Sequence, residues 1–377
     1  MNHQIPLFKM YSDESDVDSI SEVIRSKMNW TIGPKTRQFE QMIKEYLGIK
    51  YAAAFNSGTS ALHALLMAHD IRKNNEVIVP SFSFIATSNA VIMVGAKPVF
   101  SDIETETYGL NPDLIKKKMT KRTKAIIPVH YGGGPCQIEE IREFAENNDL
   151  LLIEDAAESL GASANKKKVG SFGTSSIISF TPPKLISTGE GGMGVTHSKE
   201  IYEKIKLLRN HGRAETADYF NSIEYMDYIT LGYNFRMSEI TAALGVSQFN
   251  KLDKIIEKRR KNAEHLIAGL SDNKEISLPI PPKENFHVYQ MFTIRLKNKK
   301  IRDSMQSYLM SKGIMSRVYF YPIHKTGYYN KLYGNWIKLP ITEKTAGQVL
   351  TLPMYPDLTT EELDYIIDEI KHFFRGT

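Results

Sequence analysis

From Tyr51 to Asp155 the chain repeats one pattern, and this limits the fold more than any other feature. YAAAFN (51–56), EVIVP (76–80), KPVFSDI (97–103), AIIPVH (125–130) and LLLIED (150–155) are short, largely apolar runs. Between them lie stretches of helical character: Ala61–Ala68, about 85–94, from about 112, and from 138. Strands alternating with helices, several of them continuously apolar, predict an α/β fold whose largely parallel sheet is covered on both faces. Ligands in such sheets bind beyond the carboxyl ends of the strands. Asp155 stands at one such end.

The flanking regions read less regularly. Asp16–Met28 and Phe39–Leu47 have helical spacing around a break at Trp30–Pro34. Glu200–His211 reads as a helix, and the loop 229–240 leads, with Ser238 in capping position, into a helix to about Leu270. A proline-rich segment, 277–285, forms a boundary. Beyond it HVYQMFTIRL (287–296) and SRVYFYP (316–322) read as strands, and Arg302–Lys312 and Thr359–Phe374 as helices. The expected organisation is a large domain, 1–250, and a small C-terminal α/β domain, 251–377.

Composition excludes several functions. With 377 residues, 42% hydrophobic and 24% charged, the chain can bury a sizeable core and has an ordinary globular balance. Its net charge of +5 is scattered, with KKK only at 116–118 and 166–168, so no nucleic-acid stripe is expected. One cysteine, Cys136, excludes an internal disulfide and suits a reducing cytosol. No apolar run suggests a signal peptide or membrane span, so a cytoplasmic protein is expected. No metal is expected.

Chemistry concentrates in SSIISFTPPKLISTGEGGMGV, 175–195. Pro182 and Pro183 can continue neither strand nor helix, so the backbone turns just before Lys184. Glycines at 189, 191 and 192 let a backbone pass close to a ligand. A lysine on such a corner can attack a carbonyl and form a Schiff base, as lysines that hold pyridoxal phosphate do; an ordinary surface lysine is the alternative. NSGTS (56–60) joins a strand to a helix, and unpaired amides there suit an anion, with Gly58, Thr59 and Ser60 as donors. A plain helix cap is the other reading. Asp155 could pair with a protonated pyridine nitrogen, or with a salt-bridge or capping partner. Asn234 and Arg236 are polar residues between aromatics in a loop.

FNSGTSALHALL, VIVPSFSFIATSNAV, EDAAESLGA, SFTPPKLISTGEGGMGV and GYNFRMSEI occur in this order over nearly the whole chain. Together they resemble the DegT-type sugar-nucleotide aminotransferases, pyridoxal-phosphate enzymes of the aspartate-aminotransferase fold (fold type I). The resemblance implies a mostly parallel seven-stranded sheet. It also implies Lys184 as Schiff-base lysine and proton carrier, Asp155 on the pyridine nitrogen and Phe84 stacked on the ring. Gly58, Thr59 and Ser179 would hold the phosphate, with Asn234 reaching it from the other subunit of a homodimer. Glu158 stands where the family usually has glutamine against the ring oxygen, and Thr-Pro-Pro replaces a more usual aromatic or polar run before the lysine.

The implied reaction is a two-stage transamination from L-glutamate to a nucleotide-linked 4-keto-6-deoxysugar. SRVYFYPIH (316–324) resembles the perosamine-type 4-aminotransferases more than the C3 enzymes. Trp30, Arg317, Tyr321 and His324 are candidate substrate residues, although His324 could equally be structural. Rivals are a 3-keto-sugar or cyclitol aminotransferase and a non-catalytic cofactor-binding regulator. Related dehydratases carry histidine where this chain has Lys184.

Overall fold

The computed structural model describes residues 4–28, 30–214 and 222–375. Its strands are β1 (Tyr51–Phe55), β2 (Glu76–Pro80), β3 (Lys97–Ser101), β4 (Thr123–Ile126), β5 (Leu151–Asp155), β6 (Ser163–Ala164) and β7 (Lys167–Lys168). They continue with β8 (Ser175–Ser179), β9 (Gly192–Thr196), β10 (Ile276–Ser277), β11 (Asn285–Phe286), β12 (Phe292–Leu296) and β13 (Val349–Leu352). Seven of them form one sheet in the order β1-β9-β8-β5-β4-β2-β3. β9 runs antiparallel to β1 and β8, and the other ladders are parallel.

Burial on both faces explains the unbroken apolar runs. Neighbouring residues of one strand enter different cores: Ala53 and Ile177 pack with Leu65 and Ile205, whereas Ala54 and Ile178 pack with Phe39 and Val246. The helix Gly58–Ala68 lies in the first core and is buried almost all round. On the other face Pro34–Leu47 packs against Glu239–Phe249, and the Glu239 carboxylate accepts the first amides of Pro34–Leu47, from Lys35 and Thr36.

A third core, containing Ile5, Leu266, Phe292, Leu350 and Ile366, belongs to the C-terminal sheet β10-β12-β13. The helix Leu252–Leu270 spans two cores, with Ile255 in the second and Leu266 in the third. We propose the division near residue 250 as a working boundary that this helix bridges.

Local readings differ from the structure in three places. The expected helix from Ser238 to Leu270 breaks between Phe249 and Leu252. No glycine or proline marks the break; Lys251 there reaches Asp13 and Asp16 of the N-terminal helix region. SRVYFYP is not a strand: Arg317 exchanges hydrogen bonds with Thr351, but the Tyr319 carbonyl then accepts from the Tyr131 hydroxyl, and Phe320 packs near Phe82. β12 pairs instead with β10 and with β13, the latter from a segment that the sequence reading passed over. HVYQMFTIRL is extended as a strand only from Phe292, because Val288 and Met291 donate to the carbonyls of Gly133 and Gly132.

Two histidines make the fold sensitive to acid. His69, hydrogen-bonded to the Ser175 hydroxyl at 2.8 Å, is held down to about 4 by burial. Burial, and then the Arg260 charge, hold His287 down to about 3. In the unfolded chain both titrate near 6.5. Below that value the unfolded chain takes up protons that the folded chain refuses, so their contribution to stability is complete above about pH 6.5 and is lost as pH falls. The urea midpoint of the cofactor-free protein should therefore drop between pH 7 and pH 5, and His69→Gln should make the drop shallower. Equal slopes in the two proteins would contradict this assignment.

Candidate active site

At the carboxyl end of the main sheet a cavity of about 490 Å³ opens between strand ends and the C-terminal unit. Asp155 ends β5 and projects into it, because Glu154 before it must face the other way. The Asp155 carboxylate is buried and bonded to neutral donors, the Thr87 hydroxyl at 2.7 Å and the Ala157 amide at 3.2 Å. Burial pushes its pKa up, and the Lys184 charge opposes that only in part. A buried carboxylate with this surplus of acceptor capacity suits a cationic N–H.

Lys184 follows β8 on a turn closed by its own amide to the Thr181 carbonyl, at 2.9 Å. Its Nζ lies 3.2 Å from Glu158 Oε1, while Glu158 Oε2 accepts the Gly132 amide at 3.0 Å. This brings Lys184, Glu158 and Asp155 to one wall of the cavity.

Another part of the lining suits an anion. Gly58 and Thr59 open a helix, so their amides have no helical carbonyl to bond. The third candidate donor, Ser60, is already engaged: its amide bonds Ser57 Oγ and its hydroxyl bonds Asn56 Oδ1. Ser179, the last residue of β8, packs against this turn, where a Cβ on Gly58 would stand 3.0 Å from the Ser179 Cβ. β9 enters closest: a Cβ on Gly192 would lie 2.4 Å from the Gly58 nitrogen.

The remaining candidates separate. Phe84 and Arg317 line the cavity, both exposed, with the Arg317 guanidinium over the Tyr319 ring at 5.4 Å. Trp30, Tyr321 and Asn234 are exposed and lie off the cavity wall of this single chain. The Asn234 carbonyl accepts from Asn56, and Arg236 donates to Asn210. His324 is buried, bonded to Ser81 Oγ at 2.7 Å and Glu343 Oε1 at 3.2 Å, which gives it a structural setting outside the cavity.

Thr87, Gln290, Leu7, Tyr319 and Phe320 also line the cavity and were not singled out from the sequence. Thr87 comes from the first turn of the helix Ala86–Met93 and the others from loops and the C-terminal unit, where no local pattern signals them. Among the described residues no group of three or more His, Cys, Asp or Glu side chains could hold a metal.

The approach of Gly192 to Ser57–Gly58 yields a prediction. Gly192→Ala should force the anion-binding turn away from β9, destabilising the protein by about 1–3 kcal/mol and weakening phosphate or cofactor binding at least about tenfold. Thermal denaturation and a binding titration check this; wild-type affinity would show that the turn tolerates the shift.

The donor set fits pyridoxal phosphate: an amine on a turn, a buried carboxylate in want of a cation, and open amides at a helix start 11 residues long. Comparison with known proteins agrees. GDP-perosamine synthase of Escherichia coli O157:H7 is 34% identical over 370 residues, covering 98% of each chain. The structure of Helicobacter pylori PseC, an aminotransferase involved in the biosynthesis of pseudoaminic acid, superposes with a TM-score of 0.93 at 30% identity, covering all of both chains. That of ntda from Bacillus subtilis with bound PMP, the amino form of the cofactor, gives 0.89 at 30% identity, covering 99% of this chain and 85% of that one. The profile of the DegT/DnrJ/EryC1/StrS aminotransferases matches residues 10–371, and the chain belongs to that family of pyridoxal-phosphate-dependent sugar aminotransferases.

Proposed function

We propose that the enzyme moves the amino group of L-glutamate to C4 of a nucleotide-linked 4-keto-6-deoxysugar, releasing 2-oxoglutarate and a 4-amino sugar nucleotide. The observation that carries this reading is the convergence of Lys184, Asp155, Gly58 and Ser179 on one cavity, with Arg317 on its wall. Likeness to a perosamine synthase supports C4 and a nucleotide-linked substrate.

Bound pyridoxal phosphate supplies a carbonyl that accepts amino groups and a ring that takes up the electron pair left when a C–H bond breaks. The protein does the rest. Gly58, Thr59 and Ser179 bind the phosphate, and the helix dipole favours its charge. Asp155 holds a proton on the ring nitrogen, which makes the electron pair easier to accommodate. Lys184 Nζ would move the proton from the α-carbon of glutamate to the cofactor carbon that receives the amino group, and in the second stage from that carbon to C4 of the sugar. Glu158 holds that amine while it is free of the cofactor, through the 3.2 Å contact. Arg317 faces the charged groups of either substrate.

Asp155→Asn should retain the cofactor yet release 2-oxoglutarate from glutamate roughly a hundredfold more slowly. Near-normal release would reduce Asp155 to a strand-end cap. Borohydride should fix the cofactor to the peptide containing Lys184, and fixation elsewhere would overturn the assignment. A panel of 3-keto and 4-keto sugar nucleotides with scyllo-inosose tests the acceptor; activity confined to the 3-keto sugars or the cyclitol would refute C4 transfer.

A shared-site homodimer is part of the proposal. Ile223, Tyr225, Ile229 and Leu231 are exposed in the stretch leading to Asn234, an apolar surface that a second copy would cover. With Asn234 completing the partner's phosphate site, Lys184→Ala and Asn234→Asp chains, each inactive alone, should recover about a quarter of the activity after random reassortment, since half the dimers then hold one intact site. No recovery from dimers shown to be mixed would place Asn234 in its own chain's site or in none.

A further inference from the structure

Prolines at 182 and 183 leave the turn before Lys184 short of backbone donors. The Lys184 amide closes it onto the Thr181 carbonyl, but the Pro183 carbonyl, in the same peptide unit as that amide, needs a donor from elsewhere. It receives one from a residue 107 positions away: Gln290 Nε2 donates to it at 2.6 Å. Because a carbonyl only accepts, Gln290 must present its NH₂ here. Its Oε1 is left buried and without a hydrogen-bond partner among the described residues. A residue kept in place despite an unpaired buried acceptor invites a functional explanation.

Gln290 is itself firmly held. The buried Arg259 guanidinium donates to the carbonyls of Tyr289, Gln290 and Met354. The loop at Gly132–Gly133 packs directly on it, where a Cβ on Gly133 would lie 2.6 Å from the Gln290 nitrogen. Gly132 then joins two lines of support. Its carbonyl accepts from the Met291 amide, beside Gln290, and its amide donates to Glu158, which holds Lys184 Nζ.

We propose that Gln290 is a positioning residue for Lys184, aiming its amine by fixing the peptide before it and tying that peptide to the C-terminal unit. Lys184 is then held at both ends, the backbone by Gln290 and the amine by Glu158, through supports that meet at Gly132. Lysine orientation consequently depends on the seating of the C-terminal unit, to which Arg259 anchors Gln290.

This rests on the reading that Lys184 carries the cofactor, and the experiment separates the two. Gln290→Leu keeps the approximate size, removes the donor and removes the unpaired acceptor, so the fold should be as stable as the parent's in thermal denaturation. Mixing with excess pyridoxal phosphate, quenching with borohydride at intervals and quantifying the labelled Lys184 peptide gives the rate of capture. Capture should slow about ten- to a hundredfold. The rate at saturating glutamate should fall with it while KM for glutamate stays near the parent value, a split that a general loss of structure would not give. Should Gln290→Leu fail to fold, Gln290→Glu, which sets an acceptor against the Pro183 carbonyl, carries the same expectation. Parent-like capture and turnover in a folded variant would overturn the proposal for Gln290 alone. Absence of label on Lys184 in the parent protein would instead overturn the reading of Lys184.

Discussion

The site depends on the way β5 ends, with two consecutive acids that must point to opposite sides of the strand. Glu154 faces inward and is completely buried, so its carboxyl group needs dense hydrogen bonding. It accepts the amides of Gly170, Phe172 and Gly173 at 2.7–2.8 Å and meets His130 Nε2 at 3.0 Å. Those bonds draw the segment 170–173 against β5 and set where β8 begins. β8 in turn delivers Ser179 and the turn that bears Lys184. Asp155, on the other face, is left to the cavity with neutral partners. One buried carboxylate thus organises the structure that holds the other in place.

A second constraint is steric. β9 is antiparallel to its neighbours, so its first residue, Gly192, lies level with Phe55 and Ser179, the last residues of β1 and β8. The turn Ser57–Gly58 and the start of β9 then compete for the same space, and glycine at 58 and 192 resolves it. Open helix amides and a β8 hydroxyl are brought together by that contact.

The C-terminal unit completes the cavity from above. The N-terminal segment is stitched onto it, with Ile5 bonded to Gly313 and Met315, and carries Leu7 to the cavity wall. Tyr319 and Phe320 arrive there because their segment leaves β13 after a single bridge. Arg259, buried and lowered to about 10 by that burial, satisfies three carbonyls at the junction and keeps these pieces in register with the main sheet.

Much of this was legible locally. The β/α alternation implied a covered, largely parallel sheet because apolar runs without period-two alternation must be buried on both sides. The Pro-Pro corner before Lys184, the strand-turn-helix junction at 56–60 and the strand-end position of Asp155 were readable for the same reason, since each depends on backbone rules acting within a few residues. What the sequence could not supply was reach. The Lys251 anchor that accompanies the break after Phe249, the internal setting of His324 between Ser81 and Glu343, and the exclusion of a Cβ at Gly192 are contacts between distant segments. So is the bond from Gln290 to the Pro183 carbonyl, which spans 107 residues. Local propensity determined where the chain extends, coils and turns; only tertiary packing decided which buried polar groups found partners, because a partner's identity depends on chain segments brought near by the core and not by the sequence.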